Sequence, residues 1–240
     1  MQILRSLASA FVAIGLVFVQ SGCSNSSDND QPQPHVMPIV FVHGQSGSAQ
    51  QFETQAMRFT SNGYPQEMLF AFEYNTALSE NPIAALDAFI DAVLAQTGAE
   101  QVYAVGHSRG TSVWTSYLDD PAFSGPDKVA RYVNIDGRAP EELPGGVPTI
   151  GIWGEWNTAN SGYNLSDDNS NSQIGPDPAS NFHFPDKSHT ETATAAETFA
   201  LMYEVLGGVA PATTAVLPSR SGTGRVAGRG VFFPEDLGYA

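Results

Sequence analysis

The sequence is poor in basic residues and in cysteine. The first shortage argues against anionic partners, and the second excludes an internal disulfide. Only 10 of its 240 residues are Lys or Arg, against 25 Asp or Glu, and the formal net charge is -15. Nucleic acid and anionic lipid surfaces attract positive charge, so neither is an expected partner of the folded part. Because Cys23 is the only cysteine, there is no internal disulfide, and a buried core must stabilise the fold.

Long apolar runs are also scarce. The one from Leu7 to Val19 follows the positive residue Arg5 and is short for a membrane span, so residues 1–23 are interpreted as an export signal. Cys23 stands where a bacterial lipoprotein signal places its lipidated residue; the alternative is an ordinary secretory signal with an incidental cysteine. We therefore expect export from a bacterial cell, as a secreted protein or a periplasmic or outer-membrane lipoprotein, with membrane attachment only through a lipid on Cys23.

The rest of the chain divides by composition. Residues 24–35 are polar and predict a flexible tether, residues 36–210 have the length and patterning of one catalytic domain, and residues 211–240 resemble a linker with part of an accessory segment. In the domain, apolar β-branched runs alternate with helical patterns, which predicts a mostly parallel sheet with helices on both faces and ligands at the carboxyl ends of the strands. The six predicted strands cover residues 38–42, 68–72, 101–105, 129–135, 147–153 and 181–184.

The third strand ends on a Gly-x-Ser-x-Gly sequence, Gly106 to Gly110, and a helical pattern follows. This pattern predicts a nucleophile elbow, in which a strained turn lifts Ser108 above the sheet edge. The amide of Arg109 then begins a helix and can donate to an oxyanion. Such pentapeptides also occur by chance, so the interpretation depends on its context: a strand before, a helix after, a His-Gly loop upstream and a histidine downstream.

The upstream loop is His43-Gly44, directly after the first strand. In this position the backbone N–H of Gln45 is the expected second oxyanion donor, and the side chain of Gln45 is not needed for that role. We interpret His43 as a residue that packs or fixes the loop.

The downstream histidine is His189, in the predicted loop that leaves the last strand, and it is the expected general base. His183 alternates within that strand and is expected to be structural. His107 lies inside the elbow, where we expect its side chain to be directed away from the catalytic face.

From about Pro38 to Gly208 the chain resembles the α/β-hydrolase superfamily, and in particular compact bacterial secreted lipases and esterases without a large cap. The matching motifs are Phe41-Val42-His43-Gly44, the Gly106–Gly110 pentapeptide and Ser188-His189-Thr190-Glu191. The resemblance implies that Ser108 is the nucleophile and His189 the general base, that the amides of Gln45 and Arg109 form the oxyanion hole, and that neither a metal nor an organic cofactor is needed.

The acid of the triad is where the sequence departs from the family pattern, because Asn157 stands where many members have Asp. Two carboxylates remain, Asp136 after the fourth strand and Glu155 after the fifth. We favour Asp136, since a short side chain at a strand end, followed by Gly137, can turn toward the base with little loss of entropy. An Asp-Gly pair can also simply form a turn.

The function expected from these residues is two-step hydrolysis of a carboxylic ester through an acyl-enzyme. Trp156 and Tyr163 could wall the cleft, the substrate is a small-molecule or polymeric ester, and a monomer is expected. Asp167, Asp168 and nearby residues lack the spacing of a cation loop and are interpreted as solvated, so no metal site is predicted. Two alternatives stay open: a polyester depolymerase with the same triad, and a surface lipoprotein that keeps the fold but only binds.

Overall fold

A computed structural model describes residues 33–79, 82–154, 173–175, 177, 180–218, 230–232 and 237–239. Six strands of the main sheet alternate with helices, and a pair of short strands follows near the C-terminus. The main strands are β1 (Ile39–Val42), β2 (Leu69–Phe72), β3 (Val102–His107), β4 (Val129–Ile135), β5 (Thr149–Gly154) and β6 (Asn181–Phe184). The α-helices are α1 (Glu53–Ser61), α2 (Ile83–Thr97), α3 (Arg109–Asp119), α4 (Gly125–Lys128), α5 (His189–Thr194) and α6 (Ala196–Gly207). Short 3-10 helices cover Ala49–Phe52, Gln66–Met68 and Pro144–Gly146.

The six main strands form one sheet in the order β2-β1-β3-β4-β5-β6, and every neighbouring pair is parallel. The predicted fold class, a parallel sheet of about six strands with helices on both faces, is therefore confirmed. The chain reverses its winding direction between β1 and β3, so their carboxyl ends open a crevice. The residues that follow these two strands carry the His-Gly loop and the elbow.

Alternate residues of the strands face two separate apolar clusters, one on each side of the sheet. Ile39 and Phe41 join the cluster that contains Phe59 of α1 and Phe199 of α6. Val40 and Val42 of the same strand join the cluster built on α2 and α3. Because both faces are covered, β1, β3 and β5 are buried along their whole length, which explains their unbroken apolar runs.

The two ends of the described domain are tied down. The N–H of His35 donates to the carbonyl of Gly207 at 2.8 Å, and its ring lies 3.0 Å from the hydroxyl of Tyr103, so the predicted tether contacts the domain at its last residue. At the other end, Thr213 exchanges two hydrogen bonds with the side chain of Asn62 at the end of α1. Further along, two short antiparallel strands, β7 (Gly230–Phe232) and β8 (Leu237–Tyr239), pair with each other.

In the part of the chain that the structure describes, no helix has the length and apolar character needed to cross a bilayer.

Candidate active site

The elbow brings strand β3, Ser108 and helix α3 together in a turn that only small residues permit. Ser108 has φ 52° and ψ -121°, a conformation that costs a non-glycine residue free energy. Its N–H donates to the carbonyl of Ile135 at 3.0 Å, and its own carbonyl accepts from the Thr111 hydroxyl at 2.6 Å. A Cβ placed on Gly110 would lie 2.2 Å from the carbonyl oxygen of Val42, so the helix can approach β1 only with glycine there.

The His-Gly loop after β1 lies directly beside Ser108. A Cβ on Gly44 would lie 2.9 Å from Cβ of Ser108, so glycine is needed for the loop to come this close. His43 is fully buried, stacks on Tyr74 with 4.5 Å between ring centroids, and places Nε2 3.2 Å from Oε1 of Glu73. It therefore holds the loop against the segment after β2, as the sequence interpretation supposed.

The side chain of Gln45 has a structural use that the sequence interpretation missed. Its Nε2 donates to the carbonyl of Thr76 at 2.8 Å, and its Oε1 accepts from the Arg109 guanidinium at 2.8 Å. Arg109 also donates to the carbonyls of Thr76 and Leu78 and lies 5.6 Å from the centre of the Tyr74 ring. The two residues proposed for the oxyanion hole are thus cross-linked by their side chains.

Asp136 follows β4 in a left-handed conformation, with φ 48°, and its side chain is fully buried. Its N–H donates to the carbonyl of Ile152, and its Oδ1 accepts the N–H of Gly154 at 2.9 Å, so β5 fixes both the backbone and the carboxylate. The remaining oxygen, Oδ2, lies 2.6 Å from Nδ1 of His189. The buried carboxylate and the imidazole are therefore paired.

His189 is the first residue of helix α5, and the prediction that a loop carries it was wrong in this respect. Ser188 and Glu191 form a capping box at the start of this helix, a signal already visible in the Ser-x-x-Glu spacing. The helix is only 6 residues long and gives way to α6 after Ala195, whose ψ is 153°. His183, which was expected to be structural, is instead exposed on β6.

The expectation that His107 is directed away from the catalytic face was also wrong. Its side chain is buried, its Nε2 lies 2.9 Å from the carbonyl oxygen of His189, and the two imidazole rings are 4.6 Å apart between centroids. Both faces of β3 are covered by apolar residues, so the burial pattern along the strand gives no indication of which side His107 takes.

Ser108 and His189 line the same cavity, of about 330 Å³. Its walls come from the His-Gly loop, the elbow and the start of α5. The described residues around it are all glycine or polar: Gly44, Gln45, Ser46, Gly47, Ser48, Gln51, His107, Ser108, His189 and Thr190.

The structure does not describe several other residues singled out from the sequence. Glu155, Trp156, Tyr163, Asn157 and Cys23 lie outside the described residues. Trp153, within β5, is fully buried and donates to Asn181 Oδ1 at 3.1 Å, so it belongs to the core of the domain. Among the residues that are described, no group of three or more His, Cys, Asp or Glu could hold a metal ion.

Comparison with known proteins concerns the fold and the first half of the domain. A family model described as Lipase (class 2) matches residues 36–118, which include the His-Gly loop and the elbow but neither Asp136 nor His189. A solved structure of a gene product from Listeria innocua is 15% identical and superposes with a TM-score of 0.51, covering 75% of this chain and 97% of its own. The likeness to this structure, the order of the parallel strands and the elbow after β3 all indicate the same fold. The chain is an α/β-hydrolase by fold.

Two further solved structures resemble parts of this α/β-hydrolase. An extracellular α/β-hydrolase from a Paenibacillus species is 23% identical over 43% of this chain and 42% of its own, with a TM-score of 0.33. A lipase from Bacillus licheniformis is 24% identical over 45% of this chain and 43% of its own, with a TM-score of 0.38. Both matches span less than half of either protein, so the assignment of the fold rests on the sheet itself and on the Listeria structure.

Proposed function

We propose that this α/β-hydrolase cleaves carboxylic esters with Ser108 as nucleophile, His189 as general base and Asp136 as the acid that orients it. The observation that carries the proposal is the 2.6 Å contact of Asp136 Oδ2 with His189 Nδ1, next to a cavity that His189 shares with Ser108. The lipase family match over the elbow and the His-Gly loop supports the same class of chemistry.

The pairing with Asp136 determines which nitrogen of His189 can act as a base. A carboxylate only accepts, so Nδ1 carries the proton and Nε2 keeps its lone pair for Ser108. As Ser108 Oγ bonds to the ester carbon, its proton passes to Nε2, and the buried carboxylate stabilises the imidazolium that results. Asp136 remains ionised throughout.

The carbonyl oxygen of the ester becomes negative as the tetrahedral intermediate forms. In the proposal it is held by the backbone N–H groups of Gln45 and Arg109, one from each loop that borders the cavity. Collapse expels the alcohol, which takes the proton from His189 and leaves an acyl group on Ser108. A water molecule, deprotonated by His189, then attacks the acyl carbon. The bond from this carbon to Ser108 Oγ breaks as His189 returns the proton to Oγ, and the acid is released.

The described residues around the cavity include no Leu, Ile, Val, Met or Phe side chain, and this favours esters with short acyl groups. In an apolar acyl pocket each buried methylene contributes about 0.8 kcal/mol, and kcat/KM then rises with chain length. The described walls of this cavity offer hydroxyl, amide and imidazole groups instead. We therefore expect p-nitrophenyl acetate to be a better substrate than the octanoate, with kcat/KM flat or falling as the chain grows.

The test is hydrolysis of p-nitrophenyl esters from acetate to decanoate by the purified full chain, beside Ser108→Ala and His189→Asn. His183→Asn is the matched control, because His183 is an exposed histidine on the neighbouring strand β6. We expect the first two variants to lose activity and the control to keep it. If the parent hydrolyses none of the esters faster than Ser108→Ala does, the proposal is wrong.

We also propose that the protein is exported and lipidated at Cys23, on the sequence pattern alone. Metabolic labelling with palmitate in a bacterial host, comparing the parent with Cys23→Ser, tests this. The label should be absent from the variant, and equal labelling of both would contradict the assignment.

A further inference from the structure

Gln51 and His107 form a hydrogen-bonded chain between the base and the His-Gly loop. Oε1 of Gln51 accepts from the N–H of Gly44 at 3.3 Å, and its Nε2 lies 2.6 Å from Nδ1 of His107. On the other side of the ring, Nε2 of His107 lies 2.9 Å from the carbonyl oxygen of His189. The chain thus begins next to Gln45 and ends on the backbone of the proposed base.

The partners of His107 fix its tautomer. A carbonyl oxygen only accepts, so Nε2 of His107 must carry the proton that it gives to His189. Nδ1 is then unprotonated and accepts from the amide N–H of Gln51, which leaves Oε1 of that amide for Gly44. Burial, and then the neighbouring His189, lower the pKa of His107 to about 4, so this neutral form persists at the pH where His189 works as a base.

The elements that carry this chain of hydrogen bonds are themselves joined. Gln51 belongs to the 3-10 helix that runs into α1, and Gln55, one turn later, donates to the carbonyls of Ala193 and Ala195 at the far end of α5. Arg58 donates to the carbonyl of Thr194. The bonds of Gln55 and Arg58 thus fix the far end of α5, whereas the chain through Gln51 and His107 reaches its first residue, His189.

We infer that His107 is a positioning residue, which together with Gln51 keeps the main chain of His189 and the loop of Gly44 and Gln45 in register around Ser108. This inference rests on the proposed function. It assigns His107 no contact with substrate: its effect passes through the backbone of His189 on one side and through Gln51 on the other.

The two ring nitrogens of His107 can be replaced separately. In His107→Gln the amide N–H can take the place of Nε2 and still donate to His189. In His107→Asn the shorter side chain can serve only the position of Nδ1. Gln51→Leu removes the other link, and Gln55→Leu is the matched control, because Gln55 is a buried glutamine that bonds to the same helix away from the site.

The measurements are kcat and KM for p-nitrophenyl acetate, thermal midpoints, and the low-field proton resonance of the His189–Asp136 hydrogen bond by NMR. We expect His107→Asn and Gln51→Leu to lower kcat roughly 10- to 100-fold with KM changed less than about 2-fold, since small displacements of catalytic groups have effects of this size. His107→Gln, which keeps the bond to His189 and loses the one to Gln51, should lower kcat no more than Gln51→Leu does. Gln55→Leu should lower the thermal midpoint and keep kcat.

Three results would overturn the inference. The first is a His107→Asn enzyme with kcat within about 2-fold of the parent, given that displacement should cost far more. The second is a loss of kcat that follows the thermal midpoint equally in all variants, Gln55→Leu included, because it would mean a purely structural role. If the parent hydrolyses no ester, the proposed function fails, and the low-field NMR signal then tests the inference alone. This signal must shift in His107→Asn but not in Gln55→Leu. The third result is therefore an unchanged signal in His107→Asn.

Discussion

Asp136 Oδ2 lies 2.6 Å from His189 Nδ1, although 53 residues separate the two in sequence. Asp136 ends β4 and His189 begins α5, and the N–H of Gly154, at the end of β5, fixes the other carboxylate oxygen at 2.9 Å. The bond from Gly154 therefore orients the carboxylate independently of its contact with His189. A substitution that keeps the bond to Gly154 can then test the role of the second oxygen.

The first prediction is that Asp136→Asn lowers kcat by about 1,000- to 10,000-fold with little change in KM, because the amide cannot hold His189 in the required tautomer. The amide oxygen can still accept from Gly154, so the thermal midpoint should change little. Asp186→Asn is the control: Asp186 is exposed and bonds only to Lys187 Nζ among the contacts found for its side chain, at 2.9 Å. A variant that kept a tenth of the parent's kcat would rule Asp136 out as the acid.

The second prediction concerns the strained backbone of Ser108, with φ 52° and ψ -121°. Such a conformation costs about 1–3 kcal/mol in a residue with a side chain, and glycine escapes most of it at an entropic cost of about 0.5–1 kcal/mol. The free energy of unfolding in urea should therefore be about 1 kcal/mol higher for Ser108→Gly than for Ser108→Ala. Both variants should be inactive. At the exposed helical position Ser112 the order should reverse, with glycine less stable than alanine. A free energy of unfolding that is higher for alanine than for glycine at Ser108, as at Ser112, would show that the elbow is not strained.

A third prediction follows from the close approach of α3 to β1. Gly110→Ala places a methyl group 2.2 Å from the carbonyl oxygen of Val42 and 2.7 Å from that of His43, where only backbone could move to relieve the clash. We expect a loss of more than about 3 kcal/mol in the free energy of unfolding, or no folded protein. Gly98→Ala is the comparison, because Gly98 has φ 71° but nothing within 4 Å of an added Cβ, and about 1 kcal/mol is expected there. Urea titration of both variants measures the difference, and equal losses would contradict the close packing.

The fourth prediction is a pH dependence of stability that His107 produces. Its pKa is lowered from 6.5 to about 4 in the folded chain, so the unfolded chain binds the proton first as the pH falls. Stability is therefore full above pH 6.5 and is lost progressively between 6.5 and 4, by about 3 kcal/mol in total. From pH 7 to pH 4.5, the free energy of unfolding in urea should fall by about 2–3 kcal/mol less in His107→Gln than in the parent. His183→Gln, at an exposed position, should behave much more like the parent, and a parent-like decrease in His107→Gln would contradict the prediction.

The strands β1, β3 and β5 were predictable from the sequence because they are buried on both faces. Ile39–Val42 is wholly apolar, and Val129–Ile135 is apolar except for Arg131 and Asn134. Each run ends at a polar residue, and the strand boundaries agree with the predicted ones within about two residues. The elbow and the His-Gly loop were predictable because their geometry needs glycine at fixed positions next to Ser108.

What the sequence could not supply is the direction of individual side chains at the carboxyl edge of the sheet. His107 continues a strand that is buried on both faces, so no alternation of polar and apolar residues shows which way it points. Its partners, Gln51 and His189, lie 56 and 82 residues away, and only the folded arrangement brings them together. The contacts of Asp136 with His189 and with the N–H of Gly154 are likewise ones that no local pattern encodes.

The segment after α6 has a consequence for how the protein can be handled. Nε of Arg58 donates to the carbonyl of Thr214, while its Nη1 donates to the carbonyl of Thr194 in α5, so one guanidinium joins the C-terminal segment to the helix of His189. The N–H of Leu217 bonds to Ser61 Oγ on the same helix as Arg58. For protein engineering this means that residues 213–217 contribute to the support of the helix that carries His189. Fusion partners and surface attachment points are therefore better placed after residue 218, so that they do not disturb the hydrogen bonds of Arg58.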